Sequence, residues 1–347
     1  MNAADVWMLF IGLSFAAYIV LDGYDLGIGV LTLLQRDDRR RREMYELVAR
    51  AWDGSESWIV LLAVALWGGL PLAYGIALPS LYVPLILMLV SLIWRGFSIE
   101  IIAQYRGWQR RWGLAFGIGS LVAAFCQGAA FGGLIAGVTV HGSTFAGGPF
   151  SFLHHGYAVL TGLGAIVLYL FAASAWVYDR TEGELQRWAA RGGRVLTLLL
   201  AAATVACWAL LQPAGTTRLD PGSAARLAVW VPGAVVLAGG LAHAYRSFGR
   251  HPDAGPVRGA LAVYAGGLIL VLGLMYPSVV PPSITVHAAA SPTGSLTFLL
   301  IGVGLSMPAI LAYNAYAYWA FRGKLTTTDE EVAGTSVDPA GRRVAAR

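Results

Sequence analysis

The chain of 347 residues is 57% hydrophobic and only 12% charged, with a mean hydropathy of +0.64. That balance excludes an ordinary water-soluble domain. A membrane-spanning helix takes about 20 apolar residues, so a dozen spans at most would fit and no aqueous domain of useful size is left over; the net charge of +5 matters only through its placement.

The N-terminus has no basic segment followed by a short apolar core and a small-residue cleavage site. It therefore reads as a retained first helix and not as a signal peptide. Apolar runs follow at residues 5–34, 57–76, 79–101, 113–138, 152–178, 195–212, 225–245, 259–280 and 296–321. They predict an all-α, polytopic membrane protein of nine helices, with residues 1–324 as one transmembrane domain. The first run is long for a bilayer and should tilt or extend past the surface. The Gly- and Pro-rich connections at 139–151 and 277–295 are expected to form ordered loops. Residues 325–347 are polar and aperiodic and are expected to be a disordered cytoplasmic tail.

Cytoplasmic loops carry an excess of Lys and Arg. Apart from Arg218 and Arg226, every Lys and Arg lies in or at the edges of the connections between runs 1 and 2, 3 and 4, 5 and 6, and 7 and 8, or in the C-terminal tail. This predicts an outside N-terminus and a cytoplasmic C-terminus.

Against this background the acids stand out. Asp22 and Asp25 fall inside the first run, within Leu21-Asp22-Gly23-Tyr24-Asp25-Leu26-Gly27, and Asp53 and Glu56 open the second, within Trp52-Asp53-Gly54-Ser55-Glu56-Ser57-Trp58. An ionised Asp at the centre of a bilayer helix costs about 2.5–3.5 kcal/mol on insertion scales, so such acids face a protein interior or a wet cavity, often as proton relays. Tyr18, Asp22 and Asp25 share one helix face at i, i+4 and i+7. Gly23 and Gly27 form a small-xxx-small pair beside it, which admits a neighbouring helix. Counting from Val6, Asp22 lies about 24 Å along the helix, in the cytoplasmic half of the bilayer. Asp53 reads as a helix cap with Glu56 as its capping-box partner, or as a proton-exchanging acid, and the two roles are compatible. At the cytoplasmic end of the third run, Arg95 and Glu100 are expected to make structural ion pairs, Arg95 with an acid of the first or second helix.

A membrane haem needs axial His or Met pairs deep in a bundle. His141, His154, His155, His243, His251 and His287 all fall at span ends or in loops. Cys126 and Cys207 lie within apolar runs, suiting neither a disulfide nor a zinc site. No haem-attachment, phosphate-loop or dinucleotide motif is present, and no metal site or nucleic-acid surface is indicated. The chain is expected to bind no cofactor through ligands of its own.

The two acidic stretches, with Pro71-Leu72-Ala73-Tyr74-Gly75, Leu81-Tyr82-Val83-Pro84-Leu85 and Arg95-Gly96-Phe97-Ser98-Ile99-Glu100, resemble in order and spacing the signatures of subunit II of cytochrome bd-type quinol oxidases. The resemblance rests on about the first 110 residues. It implies two four-helix bundles plus one helix, in a respiratory oxidase of the bacterial cytoplasmic (inner) membrane. That enzyme oxidises quinol and reduces dioxygen to water. Its two b-type haems and one d-type haem belong to subunit I, the haem-bearing partner, and some members add a small single-helix third subunit. Subunit II is haem-free, stabilises the assembly and helps form a proton channel; in some members it holds a structural quinone. By position the resemblance assigns that path to Asp53 and Asp25, with Asp22 and Glu56 as further candidates. Two rival readings are a proton-coupled secondary transporter, which typically pairs broken helices near the midplane, and a purely structural assembly subunit whose acids only make ion pairs.

Overall fold

In lipid a backbone can satisfy its hydrogen bonds only within itself, so long apolar runs wind into helices. The computed structural model describes residues 2–49, 52–104, 109–211, 224–250 and 254–320, without the side chains at 52–56, 109, 154–155, 224–226, 314–315 and 317–320. The expected tail at 325–347 lies outside the described residues, as do Arg218 and His251.

All nine runs are helical. In chain order the elements are α1 (Ala3–Leu34), α2 (Asp38–Ala49), α3 (Trp52–Gly69), α4 (Pro71–Ser80), α5 (Tyr82–Gln104), α6 (Gln109–Ile135), the hairpin of β1 (Val140–His141) and β2 (Thr144–Phe145), a 3₁₀ turn (Ser151–Gly156), α7 (Tyr157–Arg180), α8 (Gly183–Leu211), α9 (Ala224–Ser247), α10 (Gly255–Met275), the hairpin of β3 (Ser278–Val280) and β4 (Ile284–Thr285), α11 (Val286–Ala289) and α12 (Thr293–Ala320). Among the described residues eight helices are long and apolar enough to cross a membrane. The ninth predicted span, 57–76, is broken at Leu70, which takes φ −130°, ψ 60°. Pro71 disfavours a helical conformation in the residue before it. Ser291 caps the break: its N–H donates to the Gly69 carbonyl (2.9 Å) and its hydroxyl to that of Gly68 (2.8 Å).

Two helices exceed what hydropathy revealed. α8 starts at Gly183 and not near 195, because residues 183–194 continue the helix amphipathically beyond the apolar zone. They bury Leu185, Ala189 and Ala190 while Arg187, Arg191 and Arg194 stay exposed. α2, in the basic connection, buries Met44, Tyr45, Leu47 and Val48. Its cap is Asp37, whose Oδ1 accepts the N–H groups of Arg39 (2.8 Å) and Arg40 (3.3 Å). Those two bonds hold the Asp37 carboxyl below its ordinary value of 3.8. The cap therefore contributes fully above that value and is lost only as pH falls through the lowered one.

α1, α3, α5 and α6 pack as one group and α7 to α10 as a second, while α12 lies against α1 and α3. α1 and α6 join the groups by packing on α7. A methyl group at Gly27 would stand 1.9 Å from the Tyr169 carbonyl oxygen, so only glycine lets the two backbones approach there. At one end of the bundle the Gly/Pro-rich loops meet: Val138 N–H donates to the Pro281 carbonyl (3.2 Å), and His287 of α11 meets Asn2 (3.2 Å) and Asp5 (3.5 Å) at the start of α1. At the other end the basic connections meet. Arg40 pairs with Glu184, the Tyr178 hydroxyl donates to the Arg250 carbonyl, and Arg194 donates to the Phe248 carbonyl.

Two substitutions test this packing. Gly27→Ala forces α1 from α7 and should cost about 1–3 kcal/mol in thermal unfolding of the detergent-extracted protein, whereas Gly239→Ala, which meets open space, should cost nothing. Asp37→Ala should unwind the start of α2 and speed tryptic cleavage at Arg39–Arg42; Asp37→Ser, which keeps a capping oxygen, should not.

Candidate functional site

The α1 face carrying Tyr18, Asp22 and Asp25 turns inward. Tyr18 is buried, and both Asp22 and Asp25 have zero exposure. From α5, Arg95 reaches the same level at 1% exposure, its Nη2 3.0 Å from Asp22 Oδ1. α6 makes room for the guanidinium stem: a methyl group at Gly119 would fall 3.1 Å from the Ser91 carbonyl and 3.5 Å from Arg95 Cβ. The charge pair thus closes inside protein and away from lipid, as an intramembrane ion must.

Around it lies a layer of neutral hydrogen-bonding groups. The Tyr169 hydroxyl of α7 donates to Gln127 Oε1 (2.6 Å). Gln127 Nε2, on α6, donates to the Tyr18 hydroxyl oxygen (2.6 Å) and makes a longer 3.4 Å contact with Asp22 Oδ2. The Tyr18 hydroxyl, its oxygen already an acceptor, donates to Asp22. Tyr264 of α10 leans on the same place. A methyl group at Gly23 would come within 2.6 Å of its hydroxyl and 2.8 Å of the Tyr169 ring. Five helices, α1, α5, α6, α7 and α10, therefore converge on one polar level.

Of the residues singled out in the sequence, Asp22, Asp25 and Arg95 come together here, Asp25 one helical turn nearer the basic end. Glu100 does not. Five residues after Arg95 it is turned about 140° around the helix and stands exposed, away from the Asp22–Arg95 contact. Asp53 and Glu56 lie on the helical backbone of α3, with side chains outside the described residues. Gln127, Tyr169 and Tyr264 escaped the sequence reading. The available signal was an amide in the middle of an apolar span, and tyrosines far from the interfaces where they usually sit.

His141, His243 and His287 are exposed, on β1, near the end of α9 and on α11; the side chains of His154 and His155 are not described. Among the described residues no three His, Cys, Asp or Glu side chains gather as a metal-holding group.

Removing one member of a buried pair strands the other, at a cost of about 3–5 kcal/mol, whereas replacing both by apolar groups is often neutral. Asp22→Leu and Arg95→Met should each lower the unfolding midpoint of the extracted protein sharply, and the double variant should recover most of the loss.

Comparison with known proteins carries the same sense. The sequence profile of the family described as cytochrome bd terminal oxidase subunit II matches residues 3–321. Cytochrome bd-I ubiquinol oxidase subunit 2 of Escherichia coli (strain K12) is 26% identical, over 94% of this chain and 96% of its own. Cytochrome bd ubiquinol oxidase subunit 2 of Bacillus subtilis (strain 168) is 23% identical, over 93% and 96%. A chain in the structure of bd oxidase from Geobacillus thermodenitrificans shares the fold, with a TM-score of 0.74 at 15% identity, covering 93% of this chain and 100% of that one. A multi-pass helical protein matched along nearly its whole length, this chain belongs to the family of subunit II of cytochrome bd terminal oxidases, and so is a subunit of a haem-containing oxidoreductase complex.

Proposed function

We propose that this chain is the haem-free subunit of a quinol-oxidising, dioxygen-reducing enzyme of the bacterial cytoplasmic membrane. In this reading it stabilises the haem-bearing subunit I and conducts protons from the cytoplasm towards it. The observation that carries the reading is the complete burial of Asp22 and Asp25 on one face of a membrane-spanning helix. Such a placement is costly and is kept where protons or ions pass.

The basic end, where α2 and the arginine-rich connections gather, is the cytoplasmic one by the positive-inside bias. Asp53 then takes up protons near that surface, with Glu56 one turn on. Asp25 receives them inside the bundle and passes them through water to the neighbouring subunit. Quinol supplies the electrons from the opposite side, so the charge movement is electrogenic without a pump. The haem chemistry belongs to the partner; this chain's residues only hold and move protons. Asp22, facing Arg95, serves first as the counter-charge that fixes α1 to α5. The rival reading, a purely structural role for the acids, is favoured at Asp22 by that contact.

The test uses membranes carrying the assembled oxidase. A positioned acid or base contributes about 10²–10⁴-fold to a proton-transfer step, so Asp25→Asn and Asp53→Asn should slow oxygen consumption at least about tenfold while the haem absorption bands stay unchanged. Wild-type turnover in both variants would refute the proton-uptake role. Loss of the haem bands without a separate kinetic defect would make the acids structural.

A further inference from the structure

We propose that Gln127 is a positioning residue: its amide joins Tyr169 and Tyr18 into a single hydrogen-bond line ending on Asp22, by which the second helix group holds the Asp22–Arg95 pair in register and withholds Asp22 from proton exchange. The last part rests on the proton-uptake reading above; the registration itself does not.

The direction of every bond along the line follows from chemistry. Tyr169 has its hydroxyl 2.6 Å from Gln127 Oε1, which can only accept. Gln127 Nε2 can only donate, and it lies 2.6 Å from the Tyr18 hydroxyl. With its oxygen receiving that bond, Tyr18 has its proton left for Asp22. All donors thus run from α7 through α6 to α1, and the line stops at a carboxylate whose other oxygen faces Arg95. Asp22 is flanked on both sides: a guanidinium at ionic distance from Oδ1, and a hydroxyl with the 3.4 Å amide contact behind it. A proton relay needs a member that alternately donates and accepts. Asp22 is faced by donors only, which suits a fixed counter-charge.

Gln127 carries its acceptor and its donor on two separate atoms, which lets it bridge two hydroxyls, and nothing of similar size replaces it. A methionine would fill the same volume and break both bonds. A glutamic acid could keep both bonds only while protonated. Once ionised, it would set a second carboxylate beside Asp22, and two adjacent carboxylates do not both ionise freely.

The experiment compares purified oxidase complexes carrying Gln127→Met, Tyr169→Phe, both changes together, or Gln127→Glu. Haem absorption reports assembly, its thermal loss reports stability, and oxygen consumption is followed from acid to alkaline pH. If the line acts as one unit, each single change lowers turnover by a similar factor, roughly three- to thirtyfold, with haem content retained. The double change should then stay within about twofold of either single one. Gln127→Glu should work near the wild-type rate at the acid end and lose turnover as pH rises, a limb absent from wild type and from Gln127→Met. Multiplying losses in the double variant, parallel pH profiles for Gln127→Glu and Gln127→Met, wild-type turnover in Gln127→Met, or loss of assembly in both single variants would each overturn the proposal. Wild-type turnover in Asp25→Asn would overturn instead the proton-uptake reading, and the coupling of Gln127 with Tyr169 would still be read in the thermal loss of the haem bands.

Discussion

Everything in this fold has to accommodate one ion pair placed where water is scarce. A carboxylate and a guanidinium 3.0 Å apart in a low-dielectric interior attract strongly, yet each has first been stripped of hydration, and the attraction offsets that penalty only when the remaining lone pairs and protons also find partners. At Asp22 Oδ2 the surrounding sequence meets this demand at short range. Glycines at 23, 27 and 119 remove side chains where helices or aromatic rings must close in. Tyr18 and Gln127 bring hydroxyl and amide groups to the free carboxylate oxygen. The apolar shell outside them, with Leu26, Ile28, Met88 and Leu92 all buried, then seals the level from lipid.

The pair gives one of the two acids of α1 a definite place. Asp22 and Asp25 are three residues apart on one helix and equally buried. Asp22 is engaged by α5, α6 and its own helix, in an arrangement fixed on three sides. Asp25 lies one helical turn nearer the end of the bundle where α2 stands.

How much of this was legible in the sequence follows from where each signal is stored. Nine apolar runs, the shared face of Tyr18, Asp22 and Asp25, and the closeness implied by Gly23 and Gly27 are local patterns, readable at helical spacing. That Arg95 would seek an acid from the first helices followed from charge alone. The break in the second run was written in Gly68-Gly69-Leu70-Pro71, but the run's hydropathy continued across it. α2 and the first twelve residues of α8 were hidden because their amphipathic faces lie outside the apolar zone that marks a span. The Gln127 line was beyond reach for another reason. Its links join residues 42, 109 and 105 positions apart, and a lone amide or tyrosine has no period to reveal it. Only the helix arrangement shows that they share a level.

The same arrangement gives the second helix group a definite part. α9 and α10 carry no acidic residue, α7 carries only Asp179 in its last turn, and α8 only Glu184, in its extension past the apolar zone. What the group brings to the polar level is neutral: the hydroxyl of Tyr169 and that of Tyr264. Neutral donors cannot carry net charge through the bilayer, but they can fix the orientation of a group that does. The chain is thus divided into a half that holds charge and a half that holds position, joined where Gly27 lets the backbones of α1 and α7 touch. A displacement of α7 by even a fraction of a helical turn would lengthen the 2.6 Å bond from Tyr169 and loosen Tyr18 with it. The close α1–α7 contact is therefore what allows a helix with no charge at that level to govern the geometry of Asp22.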